Sequence, residues 1–131
     1  MTTLPYIYDA GALVAFDRAD RRMWARHRLA LEEGREIHLP AIVVGQAWRD
    51  GSRQVSLPRA LAGCRVDPVG LDVSKAAGVL CGRAGTSDVV DATVVVMAAA
   101  LRAIIWTSDL RDMKTLAAKC GANPMPIARA V

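Results

Sequence analysis

The stretch Ser87–Asp112, SDVVDATVVVMAAALRAIIWTSDLRD, decides the predicted fold. Its run Val94-Val95-Val96 prefers a strand by propensity, whereas its length and the small residues Ala98-Ala99-Ala100 favour a buried helix. We predict a helix over residues 89–101, followed by an apolar strand over residues 103–107. A helix leading directly into a short apolar strand is typical of a parallel sheet that is buried on both faces.

Short apolar runs and helical patterns alternate along the rest of the chain. Strands are predicted over residues 4–8, 37–39, 65–69, 103–107 and 126–128. Helices are predicted over residues 11–16, 20–33, 41–50, 57–62, 72–83, 89–101 and 110–119. Alternation of this kind predicts an α/β fold with a mainly parallel sheet covered by helices on both faces. Since neither a repeat nor a linker interrupts the pattern, we predict one domain over residues 1–131.

The composition narrows the class of protein. The chain has 131 residues, of which 53% are apolar, and a net charge of +4, which suits a polyanionic partner without requiring one. Its three cysteines are an odd number and form no CxxC motif, which favours a reducing, cytoplasmic compartment. The longest apolar stretch is too short to span a bilayer, so we expect no membrane partner.

Aspartates stand at the places where chemistry is expected. Asp9 directly follows the first predicted strand, and Asp109 directly follows the strand over 103–107, with Asp112 one turn later. Asp91 lies in the first turn of the long buried helix. If the two strands are neighbours, these carboxylates meet at one edge of the sheet, where their mutual repulsion resists ionisation. A divalent cation removes that repulsion, and Mg²⁺ and Mn²⁺ both favour oxygen ligands.

Helix capping is the alternative interpretation of the same aspartates. Aspartate is a favoured N-cap, and acids in the first turn suit the helix dipole. The pairs Asp88 with Asp91, and Asp109 with Asp112, both have the spacing of a cap and its third helical residue. The pattern alone leaves a metal site and a set of ordinary caps open.

At these residues the chain resembles the PIN-domain family, in particular the VapC-like toxins of bacterial toxin–antitoxin pairs. The matching segments run in the family's order and span nearly the whole chain. They are Tyr8-Asp9-Ala10-Gly11-Ala12-Leu13, Leu39-Pro40-Ala41 leading to Gln46-Ala47-Trp48-Arg49, Asp88-Val89-Val90-Asp91-Ala92, and Thr107-Ser108-Asp109-Leu110-Arg111-Asp112.

The resemblance implies a PIN-like three-layer α/β/α fold with a five-stranded, mainly parallel sheet. It implies an endoribonuclease that depends on Mg²⁺ or Mn²⁺, forms a homodimer and is inhibited by an antitoxin protein. The catalytic acids would be Asp9, Asp91 and Asp109, which also bind the metal together with Asp112. The choice between Asp109 and Asp112 as the last family acid stays open. The implied mechanism is metal-assisted hydrolysis of a phosphodiester bond by an activated water.

Two departures from the family pattern bear on this prediction. The family commonly has a glutamate on the third helix where this chain has Gln46, whose amide oxygen carries no charge, so metal binding is expected to be weaker. We predict that Asp88 supplies the missing carboxylate. The second departure is Gly11, where many relatives have serine or threonine; it is expected to alter the hydrogen bonding around the site.

Basic residues are expected to bind RNA beside the acidic site. Two other functions are also compatible with the sequence. Arg22 and Arg26 on the second helix, and Arg49 one turn after Gln46, are assigned to RNA phosphates; a solvated helix face or an antitoxin contact are the alternatives. A PIN-like binding or scaffold module that has lost catalysis is the main competing function, which Gln46 favours. A DNA-directed nuclease is the third.

Overall fold

The computed structural model describes residues 3–131, so Met1 and Thr2 of the predicted domain lie outside the described residues. A single sheet forms the middle layer. Its strands are β1 (Tyr6–Tyr8), β2 (Ile37–Pro40), β3 (Arg65–Asp67), β4 (Ile104–Thr107) and β5 (Ala128–Ala130). All four strand pairings are parallel, in the order β3-β2-β1-β4-β5.

Two groups of helices sandwich this sheet. They are α1 (Ala10–Asp17), α2 (Arg21–Glu32), α3 (Ala41–Ala47), α4 (Ser56–Ala62), α5 (Leu71–Ala84), α6 (Val89–Leu101) and α7 (Leu110–Lys119). Helix α1 packs against α2, α3 and α4, whereas α5, α6 and α7 pack against one another. The predicted PIN-like three-layer α/β/α fold with a five-stranded sheet is confirmed, and the sheet is parallel throughout.

Helix α6 has the bounds predicted for it and lies in the core. Its residues Ala92, Val94, Val95 and Ala98 are fully buried. The strand preference of the valine run is a weak bias of about 1 kcal/mol at most. Burial of these side chains against the sheet and α5 outweighs that bias, so the helix forms.

Helix α3 ends at Ala47, three residues before the predicted end at residue 50. The backbone turns to an extended conformation at Trp48 (φ −74°, ψ 130°). The Gln54 side chain holds the following loop, since its Oε1 accepts from the amides of Arg49 (2.8 Å) and Asp50 (3.1 Å) and its Nε2 donates to the Ala47 carbonyl (3.0 Å). These side-chain hydrogen bonds replace the last helical turn.

The last strand was predicted two residues too early. Strand β5 covers Ala128–Ala130 rather than 126–128. Pro126 lacks an N–H and cannot donate to a ladder. Pairing with β4 therefore begins after this proline, where the Ile105 amide donates to the Ile127 carbonyl at 2.8 Å.

Two further properties concern compartment and membrane. Among residues 3–131, no single helix is long and apolar enough to cross a bilayer. The consecutive helices α5 and α6 pass that test of length and composition only together, and they are bent by 112°. Cys64, Cys81 and Cys120 are free.

The order of the strands sets the position of the site. Strands β1 and β4 are neighbours, with Tyr8 opposite Trp106. Asp9 and Thr107 therefore follow at the same level of the sheet. Because all the strands are parallel, the residues that follow each strand gather at one edge.

Candidate active site

Four aspartates converge at the carboxyl edge of the sheet. Burial raises the pKa of Asp91 to about 7, and the next largest cause is the neighbouring charge of Asp88. The charges of Asp9 and Asp109 add smaller contributions in the same direction. Such repulsion requires proximity, because the interaction between charges falls with distance and is screened by water. The acids that come from β1, α6 and the β4–α7 junction are therefore close together.

A cavity of about 180 Å³ opens beside these acids. Three carboxylates face it, from Asp88 and Asp91 at the start of α6 and from Asp112 in α7. The complete lining is Ala84, Thr86, Asp88, Asp91, Asp112, Thr115 and Leu116. Asp9 and Asp109 lie beside this cavity rather than in its lining. The predicted acids thus form one acidic region with an opening on the α6–α7 side.

No basic side chain of residues 3–131 neutralises this acidic region by forming an ion pair with it. The region consists of the four converging aspartates together with Asp112, and no lysine, arginine or histidine in the described chain is paired with any of these five. The pKa of Asp112 is raised by its hydrogen bond with Asp109 and by the charge of that residue. Clustered carboxylates without a cationic partner attract a cation from solution.

Asp9 has the most restricted carboxylate of the group. It is 4% exposed, and its Oδ1 accepts from the Ala12 amide at 2.9 Å. Its Oδ2 accepts from the Thr107 hydroxyl. Burial raises the pKa of Asp9, while hydrogen bonds from Thr107, Ala12 and the backbone of Ser108 and Gly11 lower it in part. The net result is a raised pKa on a firmly oriented carboxylate.

Three of the aspartates also cap helices, so the capping interpretation is correct for them. Asp9 caps α1, Asp88 caps α6 and Asp109 caps α7. A cap bond occupies one lone pair of one carboxylate oxygen, and an ionised carboxylate has about four acceptor sites. Capping therefore leaves oxygens for a cation, and the carboxylates of Asp91 and Asp112 cap nothing.

The donor set fits a hard divalent cation in chemistry and charge. Carboxylate oxygens are the ligands that Mg²⁺ and Mn²⁺ prefer, and the raised pKa of Asp91 marks repulsion that a cation would relieve. In the described part of the chain, no three His, Cys, Asp or Glu side chains already surround one ion position. The ligand set of Asp9, Asp91, Asp109 and Asp112 therefore stays a prediction.

Thr107 is a site residue that the sequence analysis missed. Its side chain is fully buried, and its hydroxyl donates to Asp9 and accepts from the Asp109 amide at 2.9 Å. One hydroxyl thus fixes the two loops that carry the first and last predicted acids. The only signal in the sequence is a hydroxyl residue that ends an apolar strand two positions before an aspartate.

We expect Thr107→Val to lower the free energy of unfolding by about 2 kcal/mol, because it removes the hydrogen-bond partner of the buried Asp9 carboxylate and of the partly buried Asp109 amide. Thr93→Val is the matched control, since the buried Thr93 hydroxyl donates only to the Val89 carbonyl of its own helix, at 2.7 Å. Urea unfolding of both variants measures the difference. Equal losses in the free energy of unfolding of the two variants would show that the hydrogen bonds of Thr107 contribute no more than the local hydrogen bond of Thr93.

Gln46 and the predicted RNA-binding arginines do not line the acidic cavity. Gln46 lies exposed on α3. Arg49 lies just after α3 and turns back on the end of that helix, with its guanidinium donating to the carbonyls of Gly45 (3.2 Å) and Trp48 (2.8 Å). Arg26 stacks over the Trp106 ring at 3.8 Å from its centroid, and Arg22 is exposed. Their predicted contacts with RNA remain proposals.

Two solved structures share this fold over nearly the whole chain. One is VapBC2 from Rickettsia felis bound to a DNA fragment from its promoter, with a TM-score of 0.72 and 16% identity over 98% of this chain and 99% of that chain. The other is DNA-bound VapBC from Salmonella typhimurium, with a TM-score of 0.66 and 14% identity over 98% of both chains. No family model and no curated protein matches the sequence. The predicted resemblance to VapC-like PIN domains is thus confirmed for the fold.

Proposed function

We propose that this chain is a metal-dependent endoribonuclease that hydrolyses RNA phosphodiester bonds and serves as the toxin of a toxin–antitoxin pair. The observation that carries the proposal is the convergence of Asp9, Asp91 and Asp109 at one edge of the sheet, with a pKa of about 7 at Asp91. The PIN-like fold supports it, since the structures similar in fold are VapBC complexes.

The proposal gives each acid a role. Asp9, Asp91 and Asp109, together with Asp112, would hold Mg²⁺ or Mn²⁺, and Asp88 adds negative charge beside them. When bound, such a cation lowers the pKa of a water and stabilises the charge on the leaving oxygen. The products are expected to carry a 5′-phosphate and a 3′-hydroxyl.

The chain's own residues prepare this chemistry. The Thr107 hydroxyl and the Ala12 amide orient the Asp9 carboxylate. With its raised pKa, Asp91 gives up its proton when a cation replaces it, so binding is expected to strengthen as the pH rises through neutrality. Orientation by buried partners keeps the acids in place before substrate arrives.

The proposal extends to partners and location. Arg22, Arg26 and Arg49 would contact RNA phosphates, and the net charge of +4 favours such a polyanion. An antitoxin protein is the expected inhibitor, a homodimer the expected assembly and the cytoplasm the expected compartment. Residues 1–131 would form one domain.

Cleavage of single-stranded RNA by the purified chain tests this function. We expect cutting with Mg²⁺ or Mn²⁺, loss of cutting with a chelator, and recovery when metal is returned. The double variant Asp9→Asn/Asp91→Asn, purified in the same way, shows whether a contaminating nuclease is present. A folded, antitoxin-free protein that cuts no RNA with either metal would contradict the proposal. Single-stranded DNA in a parallel reaction tests the DNA-directed alternative.

A PIN-like binding module without catalysis is the second candidate, and Gln46 is the observation that favours it. This residue carries no charge and lies exposed on α3, outside the acidic cavity. A chain that binds RNA or a partner protein tightly, and cuts nothing, would fit this candidate.

A further inference from the structure

The first turn of α1, which follows β1, touches the loop that follows β4 at Gly11 and Ser108. A Cβ atom built on Gly11 would lie 1.8 Å from the Ser108 Oγ and 2.3 Å from the Ser108 Cβ. Separations below 3.0 Å are essentially never found for real Cβ atoms. The Ser108 side chain therefore occupies the space that a side chain on residue 11 would need, and only one of the two positions can carry one.

Ser108 is a neighbour of Asp9 through its backbone, and its hydroxyl lies beside Gly11, the second residue after Asp9. The backbone amides of Ser108 and Gly11 lie close enough to the Asp9 carboxylate to lower its pKa in part. The residues on either side of Ser108 belong to the acidic region, since Thr107 donates to Asp9 and Asp109 caps α7. Ser108 thus lies at the acidic edge, between two residues that belong to it.

This hydroxyl is also free to act. Ser108 is exposed. In residues 3–131 its Oγ makes no hydrogen bond, although the hydroxyls of Thr93 and Thr107 are both engaged. A serine hydroxyl is one donor and two acceptors. An unengaged hydroxyl beside a buried carboxylate is available to a water or to a phosphate oxygen.

We propose that Ser108 is the hydroxyl-bearing positioning residue of the acidic site, and that glycine at position 11 is required to make room for it. The inference rests on the proposed function in one respect, since it assumes a divalent cation at Asp9. Mg²⁺ and Mn²⁺ keep several of their waters when they bind to proteins. The Ser108 hydroxyl would hydrogen-bond to such a water and so strengthen cation binding.

Four variants separate this role from simple filling of space. Ser108→Ala removes the hydroxyl and keeps the Cβ. Gly11→Ser introduces the 1.8 Å clash. The double variant Gly11→Ser/Ser108→Gly moves the hydroxyl from residue 108 to residue 11 in α1. The double variant Gly11→Ala/Ser108→Gly fills the same space without a hydroxyl.

Mn²⁺ affinity reports on the hydroxyl, whereas the thermal midpoint reports on the packing between residues 11 and 108. Ser108→Ala keeps the thermal midpoint of the wild type and loses about tenfold in Mn²⁺ affinity, as is usual for a residue that supports a metal ligand. Gly11→Ser lowers the thermal midpoint because of the clash. Both double variants recover most of the midpoint, since only the 3.0 Å approach of the new Cβ to the backbone nitrogen of residue 108 remains. Only Gly11→Ser/Ser108→Gly also recovers Mn²⁺ affinity and RNA cleavage.

Calorimetric titration with Mn²⁺ alone, thermal unfolding and RNA cleavage provide three separate readouts. Equal Mn²⁺ affinities for Ser108→Ala and the wild type would overturn the inference. So would equal affinities for the two double variants, because packing alone would then explain the pair. If the wild type binds Mn²⁺ and cuts no RNA, the proposed function fails, while the affinity series still decides the role of Ser108.

Discussion

Replacing Asp9 by asparagine is expected to lower the rate of RNA cleavage by at least about 100-fold, the upper end of the loss seen when a residue that supports a metal ligand is removed. Asparagine has nearly the same shape, so its oxygen can still accept from the Ala12 amide and cap α1. The substitution removes the negative charge and keeps the helix. The cleavage rate of the variant should therefore fall strongly, while its thermal midpoint stays close to that of the wild type.

Asp20→Asn is the matched control for this substitution. Asp20 caps α2 in the same way, with its Oδ1 accepting from the Met23 amide at 2.9 Å, and it lies outside the acidic region. We expect this variant to cut RNA at the rate of the wild type. Equal cleavage by the wild type and both variants would show that Asp9, like Asp20, serves only as a helix cap.

The second large effect is a loss of stability of the metal-free protein as the pH rises from about 4 to about 7. Burial raises the pKa of Asp91 from its ordinary value of 3.8 to about 7 in the folded protein. The folded state therefore binds more protons than the unfolded chain between these values, and its stability falls as the pH increases. For a half-buried carboxyl, screening by water limits the effect to about 1–2 kcal/mol. Burial of Asp9 acts in the same direction.

Thermal unfolding between pH 4.5 and 8 in the presence of a chelator measures this loss. Asp91→Asn should raise the midpoint at the upper end of the range and flatten the pH dependence. Asp72→Asn is the control, because Asp72 stands in the first turn of α5 and is exposed. Excess Mn²⁺ should raise the wild-type midpoint most at high pH, since a ligand that binds only the folded state stabilises it. A midpoint that rises with pH in the wild type and not in Asp91→Asn would contradict the assignment.

Local patterns in the sequence were sufficient to predict the layers and much of the site. The helix over 89–101 and the strand that follows it were readable because their length and apolar content leave few alternatives. The positions of Asp9 and Asp109 directly after strands were also visible. Their meeting at one edge needed only the assumption that the two strands are neighbours, which the pairing of β1 with β4 bears out.

What could not be predicted depends on contacts between distant residues. The Thr107 hydroxyl meets Asp9 across 98 positions of sequence, and the space at Gly11 is filled by a residue of the other loop. The early end of α3 depends on Gln54, seven positions beyond Ala47. Helical periodicity and turn propensity describe near neighbours, so they contain no information about such pairs.

The pairing of β1 with β4 in the middle of the sheet also affects when the site can form during protein synthesis. A growing polypeptide that has emerged from the ribosome only as far as α5 contains Asp9 but lacks the strand that lies beside it and the hydroxyl that orients it. Long-range parallel pairing is slow to form. The acidic region therefore assembles only after β4 has emerged, so a nascent chain that stops before β4 lacks the Thr107 hydroxyl that orients Asp9.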